Sequence, residues 1–194
     1  MTSDLDAILL ADLRSRDSAV RRIAEHALFE RFRAPVDRLL RRMLGHDTDD
    51  CLQEVFVDVF RGIASFEHKA RLSTWIYRIA LRRAWKCAAV RRRGQRGREQ
   101  GDVLVEHAVA PGATEDLGAA VASEELAHRF ARALQLIDLD QRTVLALSAI
   151  DGLGPREIAE VLGLPVGTVH SRLSRARAHM RRLLGLAGED EPGR

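Results

Sequence analysis

Aromatic residues are scarce in this chain, and the scarcity limits its architecture. Phe, Trp and Tyr make up 5% of its 194 residues, so the core must be built from Leu, Ile, Val and Ala. That composition suits helices better than β-sandwiches, which draw on aromatic and β-branched side chains. No run approaches eighteen apolar residues, and the N-terminus lacks a charged-then-apolar leader pattern. A soluble, cytoplasmic protein with no membrane insertion is expected. Cysteine is nearly missing: Cys51 and Cys87 form no Cys-x-x-Cys pair, and none of the seven histidines stands at ligand spacing from them. They read as isolated small core residues, and neither a metal nor a cofactor is expected. Lysine is scarce too, with Lys69 and Lys86 the only two among 31 basic residues. Clustered carboxylates and nucleophile–base spacings are missing, which argues against an enzyme.

Charge is present in quantity and is segregated. Residues 1–98 hold 21 basic against 13 acidic side chains, residues 99–128 hold seven acids and neither Lys nor Arg, and residues 129–194 hold ten basic against eight acidic. Solvated helix faces account for any one block but not for the abrupt alternation. Two basic blocks around an acidic connector fit a polyanion-binding protein.

Helical periodicity dominates the first block. From Ser18 to Met43 apolar residues recur at helical spacing, with an interruption expected near Pro35. After the polar break Gly45 to Asp49, where Asp47, Thr48 and Asp49 are each possible N-caps, a second helix places Cys51, Leu52, Val55, Phe56, Val59 and Phe60 on one face. Its other face carries Asp50, Gln53, Glu54, Asp58 and Arg61. Gly62 to Arg71 reads as a loop. Ser73 or Thr74 then caps a third helix with Trp75, Ile76, Ile79, Ala80 and Ala84 as its buried stripe, running on into Arg91, Arg92 and Arg93. Periodicity fails from Gly94 to Ala122, a flexible acidic linker, and helices resume near Ser123. The expected fold is all-α, in two small helical bundles.

The C-terminal bundle carries a sharper pattern. A helix over Arg142 to Ile150 is followed by one from about Pro155, where a missing N–H costs nothing, to a stop at Gly163. Leu164 to Gly167 make the turn, and a third helix starts near Val166 or Gly167. This is the spacing of a helix-turn-helix. In the third helix Val169, Leu173, Ala176, Met180 and Leu184 form a buried seam. The remaining face offers Thr168, His170, Ser171, Arg172, Ser174 and Arg175 to the major groove, the arginines for guanine and Thr168 for a phosphate at the helix start.

The stretch EIAEVLGLPVGTVHSRLSRARAHMRRL resembles domain four of bacterial RNA polymerase sigma factors of the extracytoplasmic-function (ECF) class. DDCLQEVFVDVFRGIASF followed by RLSTWIYRIA resembles domain two of the same class. The resemblance implies a domain two (23–93) and a domain four (123–187), which leave an N-terminal helical extension (1–22), the acidic linker (94–122) and a tail (188–194) whose composition reads as disordered. It implies promoter-directed transcription initiation with core RNA polymerase, no catalysis in this chain, and restraint by an anti-sigma factor. Carried over by position, Asp50, Gln53, Glu54 and Asp58 would meet the polymerase. Phe66, His68, Lys69, Arg78, Arg82, Arg83, Lys86, Arg91 and Arg92 would meet the −10 element. Thr168, His170, Ser171, Arg172, Ser174 and Arg175 would read the −35 element. At two positions the pattern is broken: family members carry Asn and Asp where this chain has Arg82 and Lys86, exchanging base-reading groups for positive charge. The competing expectation is a free-standing helix-turn-helix regulator that acts without polymerase.

Overall fold

The computed structural model describes residues 4–67, 69–96, 117–149 and 153–186, and among them it contains eight α-helices and no strand. They are α1 (Asp4–Leu13), α2 (Ser18–Leu44), α3 (Asp49–Gly62), α4 (Leu72–Arg96), α5 (Leu117–Leu136), α6 (Leu139–Ser148), α7 (Pro155–Leu162) and α8 (Val166–Leu183), with a 3₁₀ turn at Ile63–Ser65. The all-α expectation holds.

α2 is the spine of the N-terminal bundle. Asp17 caps its start by accepting from Ala19 N at 2.8 Å, and Gly45, at φ 87°, ends it with its N–H donating to Arg41 O. The interruption expected at Pro35 does not occur; the helix runs through it. Proline removes one intrahelical donor, but Leu28, Phe32, Val36, Leu39, Leu40 and Met43 lie buried along one stripe on both sides of it, and that packing holds the helix together. α1 buries Leu10 and Leu13 and is tied down by Arg31 Nη1 donating to Asp6 Oδ1 at 2.6 Å and by Arg14 donating to the Phe66 carbonyl.

α3 and α4 complete this bundle. Thr48 precedes α3 but does not cap it; its hydroxyl donates instead to Asp37 Oδ1 at 3.2 Å. α4 starts at Leu72, ahead of the expected Ser73 or Thr74, with Trp75 N bonded to Arg71 O. The expected stripe is present, with Ile76, Ile79, Ala80 and Ala84 buried and Trp75 half-buried against Phe66. α4 continues to Arg96 and α5 begins at Leu117, both inside the span read as linker. Most of that acidic connector lies outside the described residues, as does the 188–194 tail.

The C-terminal bundle is α5 to α8. Asp138 caps α6 by accepting from Gln141 N at 2.9 Å. At the start of α7, Pro155 takes the first helical position and Glu157 Oε2 accepts from Gly154 N at 2.9 Å. Gly163 adopts the left-handed conformation (φ 65°, ψ 34°), and Leu164 N reaches back to Ala159 O at 3.0 Å. This is the glycine stop that turns the chain into α8.

The two bundles also pack on each other. A single buried cluster extends from Leu10 on α1 to Ala176 on α8, and a smaller one joins Ala133, Leu134 and Ile137 to Met180 and Leu184. The seam is stitched by polar contacts. Arg142 Nη1 donates to Met43 O at 2.8 Å and to Gln135 Oε1 at 2.7 Å, and Gln135 Nε2 donates to Arg42 O at 3.3 Å. On the other side, Trp85 Nε1 donates to Thr143 Oγ1 at 3.3 Å, Arg78 Nη2 donates to Glu160 O at 2.6 Å, and Arg71 pairs with Glu157.

Candidate nucleic-acid and partner interfaces

Three surfaces carry the residues singled out from the sequence. The first is α8. Its seam of Val169, Leu173, Ala176 and Met180 is buried, which turns the opposite face outward. His170, Ser171, Ser174 and Arg175 are exposed there, and Thr168 is half-buried at the helix start. Ser171 Oγ donates to Thr168 O at 3.0 Å and Arg175 Nε lies 3.4 Å from Ser171 O, so both side chains lie along the helix surface. Arg172 differs: it is half-buried, and its Nη2 is 3.1 Å from Asp140 Oδ2 on α6. Hydroxyls, imidazole and guanidinium on the first half of an exposed helix are the set that reads base edges in a major groove.

The second surface is α4 with the loop before it. Lys69, Arg78, Arg82 and Lys86 are exposed. Lys69 Nζ pairs with Glu67 at 2.5 Å, and Arg78 is bonded to α7 as described. Three expected members of this surface lie elsewhere. Phe66 is 5% exposed and packs on Trp75 with ring centroids 5.3 Å apart, so it is core and not a ring held out for a base. Arg91 faces the end of α2, where it donates to Leu44 O at 3.0 Å, His46 O at 2.9 Å and Asp47 O at 2.5 Å. Leu44 O is one of the carbonyls that a helix end leaves without an intrahelical partner, and the same guanidinium also takes up the two loop carbonyls that follow it. Arg83 is engaged with the third surface. His68 lies outside the described residues, and of Arg92 only the helical backbone is described.

The third surface is the acidic face of α3. Asp50, Gln53 and Glu54 are exposed and Asp58 is half-buried. Arg83 grips Asp58 with both ends of its fork, Nε to Oδ2 at 2.5 Å and Nη2 to Oδ1 at 2.7 Å, and reaches Glu54 Oε2 at 2.8 Å. The Arg83 hydrogen bonds hold the Asp58 carboxyl below the usual aspartate range, against the opposing effect of burial, and push the guanidinium further up. Asp58 therefore anchors α3 to α4 with Glu54 beside it, while Asp50 and Gln53 are left on the open face and Glu54 stays exposed although paired. Sequence reasoning passed over Trp85, 40% exposed on α4, and Arg71. Their partners lie 58 and 86 positions away, and no local pattern signals such contacts.

Residues 28–96 match sigma-70 region 2 and residues 127–180 match sigma-70 region 4. The chain is 31% identical to the ECF RNA polymerase sigma-E factor of Escherichia coli over 158 residues, 79% of this chain and 83% of that protein. It is 32% identical to the ECF RNA polymerase sigma factor SigW of Bacillus subtilis over 166 residues, 79% of this chain and 84% of that one. Among solved structures it is similar to CnrH in complex with the cytosolic domain of CnrY, at 26% identity and a TM-score of 0.65, covering 94% of this chain and 99% of that one. The fold is also that of the sigma factor RpoE of Bartonella quintana, solved with the anti-sigma factor NepR (23% identity, TM-score 0.56, 84% and 99% covered). With both regions in order and more than four-fifths of two sigma factors covered, this chain belongs to the ECF RNA polymerase sigma factors.

Proposed function

We propose that this sigma factor divides its work among the three surfaces. Asp50, Gln53 and Glu54 of α3 dock on a basic surface of core RNA polymerase. Lys69, Arg78, Arg82 and Lys86 hold the −10 region, and His170, Ser171, Ser174 and Arg175 read the −35 region, with Thr168 on a phosphate. As in its family, the chain contributes specificity and no catalysis. The observation that carries the reading is the separation of sign: an open acidic face on α3 for a protein partner and exposed bases on α4 and α8 for DNA. Complementary charge at such surfaces speeds encounter and fixes register. Domain limits of 23–93 and 123–187 go with this division, and the cytoplasm is the compartment in which it would act.

At the −10 side, Arg82 and Lys86 favour phosphate contact over base reading. Cations neutralising phosphates make affinity fall steeply with salt, each contributing about one unit of slope. CnrH is solved with the cytosolic domain of CnrY, and its similarity over nearly the whole chain supports a protein partner for this chain, a place that an anti-sigma factor would fill.

Transcription in vitro tests the reading. The purified chain with core polymerase should initiate at a defined set of promoters, and polymerase alone should not. Tight protection of a palindromic operator by the chain without polymerase would favour a free-standing regulator. Replacing Asp50, Gln53 and Glu54 together with Ala should weaken polymerase binding and leave the helical content unchanged.

A further inference from the structure

The two cysteines are not isolated. Separated by 36 positions, they meet between α3 and α4, where Cys87 Sγ donates to Cys51 Sγ at 3.2 Å, and neither is in a disulfide. A bonded pair would sit about 2.0 Å apart, so joining them requires an approach of roughly one ångström. The backbones on either side are already fixed. One turn before Cys87 on α4, Arg83 clamps Asp58 of α3; one turn after it, Arg91 holds the carbonyls that lead into α3. The two thiols also differ in access. Cys51 is 4% exposed and Cys87 is half-buried. Burial, and then the neighbouring Cys87 thiol, push the Cys51 thiol up to about 12, so a reagent from solvent meets Cys87 first.

We propose that Cys51 and Cys87 are a modification site, a thiol pair that a hydroperoxide converts to a reversible intramolecular disulfide stapling α3 to α4. In the first step the Cys87 sulfur attacks the terminal oxygen of ROOH; the O–O bond breaks, ROH leaves, and Cys87 becomes a sulfenic acid. The Cys51 sulfur then attacks the Cys87 sulfur. Its proton and the sulfenic hydroxyl leave together as water. Two thiols and one ROOH become one disulfide, ROH and water, and a dithiol reverses the reaction by exchange. The staple leaves Asp50, Gln53 and Glu54 on one helix and Arg82 and Lys86 on the other exposed and in fixed register. It also removes freedom from the unfolded chain, which favours the folded one.

The test uses the full-length reduced chain, hydrogen peroxide as the oxidant, and thiol alkylation in denaturant followed by peptide mass spectrometry. The expected result is loss of both thiols from a monomer, a linked Cys51–Cys87 peptide, and a thermal unfolding midpoint higher by several degrees, all reversed by dithiothreitol. Cys51→Ala should stop at a Cys87 sulfenic acid that dimedone traps, and Cys87→Ala should leave Cys51 unmodified. The proposal fails if both thiols stay free while glutathione in the same tube is consumed. It fails equally if the products are Cys87 sulfinic acid or disulfide-linked dimers. These readouts on the unaltered chain stand whether or not either variant folds.

Discussion

Arg83 and its neighbours on α4 show how one helix can serve two purposes at four-residue spacing. Arg82 and Lys86 face solvent, while Arg83 turns to α3 and closes a two-pronged pair on Asp58. Replacing Arg83 with Ala should lower stability by about 1 kcal/mol, the range of a partly exposed ion pair; urea denaturation measures it. The same pair sets an acid limit. Because the folded Asp58 carboxyl titrates below its unfolded value, its contribution is full above about pH 5 and is lost as pH falls through the lowered value. Asp58→Asn should flatten that limb of the stability–pH curve. On α8, Arg175 is exposed and Arg172 is held by Asp140. Arg175→Ala should therefore cost about 1–3 kcal/mol at particular −35 base pairs, whereas Arg172→Ala should also lower the unfolding midpoint. Binding to a panel of single-base promoter variants, with melting curves alongside, separates the two.

The helix-turn-helix shows at the scale of elements why part of this protein was readable in advance. Pro155, Gly163 and the seam from Val169 to Met180 are local signals: a first-turn proline, a left-handed stop and a four-three-four spacing. Each maps onto the observed α7, turn and α8. Gly163 has open space around its Cα but a φ of +65°, so Gly163→Ala should cost about 1 kcal/mol through backbone strain alone, read as a lower melting point with the α8 sequence intact. Pro35 misled because its local effect is opposed by tertiary burial of the stripe on either side. Phe66, Arg83 and Arg91 misled for a related reason. A resemblance assigns a role by position along the chain, but whether the side chain there meets solvent or another helix depends on how the elements pack. Gly62 illustrates the point: a Cβ there would come within 3.0 Å of Trp75, a contact that nothing around Gly62 in the sequence announces.

In the whole molecule the two regions share a core and a polar seam, so some of the groups proposed to hold DNA are engaged within the chain. Arg78, expected on the −10 side, is bonded to α7, and the Trp85 indole is bonded to Thr143 on α6. The proposed hold of Arg78 on promoter DNA would compete with its bond to α7, so binding is expected to loosen that seam. A chain labelled with fluorotryptophan should report it: the Trp85 fluorine resonance should move when core polymerase is added, while that of Trp75, packed on Phe66 within region 2, should move little. An unmoved Trp85 signal would mean that α4 and α6 stay together in the holoenzyme.

The scarcity of lysine has a consequence for chemistry performed on the protein. Apart from the terminal amine, Lys69 and Lys86 are the only primary amines, and both are exposed within region 2. Besides that terminus, an amine-selective acylating reagent therefore labels region 2 and is silent on region 4. Protection of the two sites by polymerase, promoter or an anti-sigma protein would map occupancy of one half of the molecule without any engineered handle.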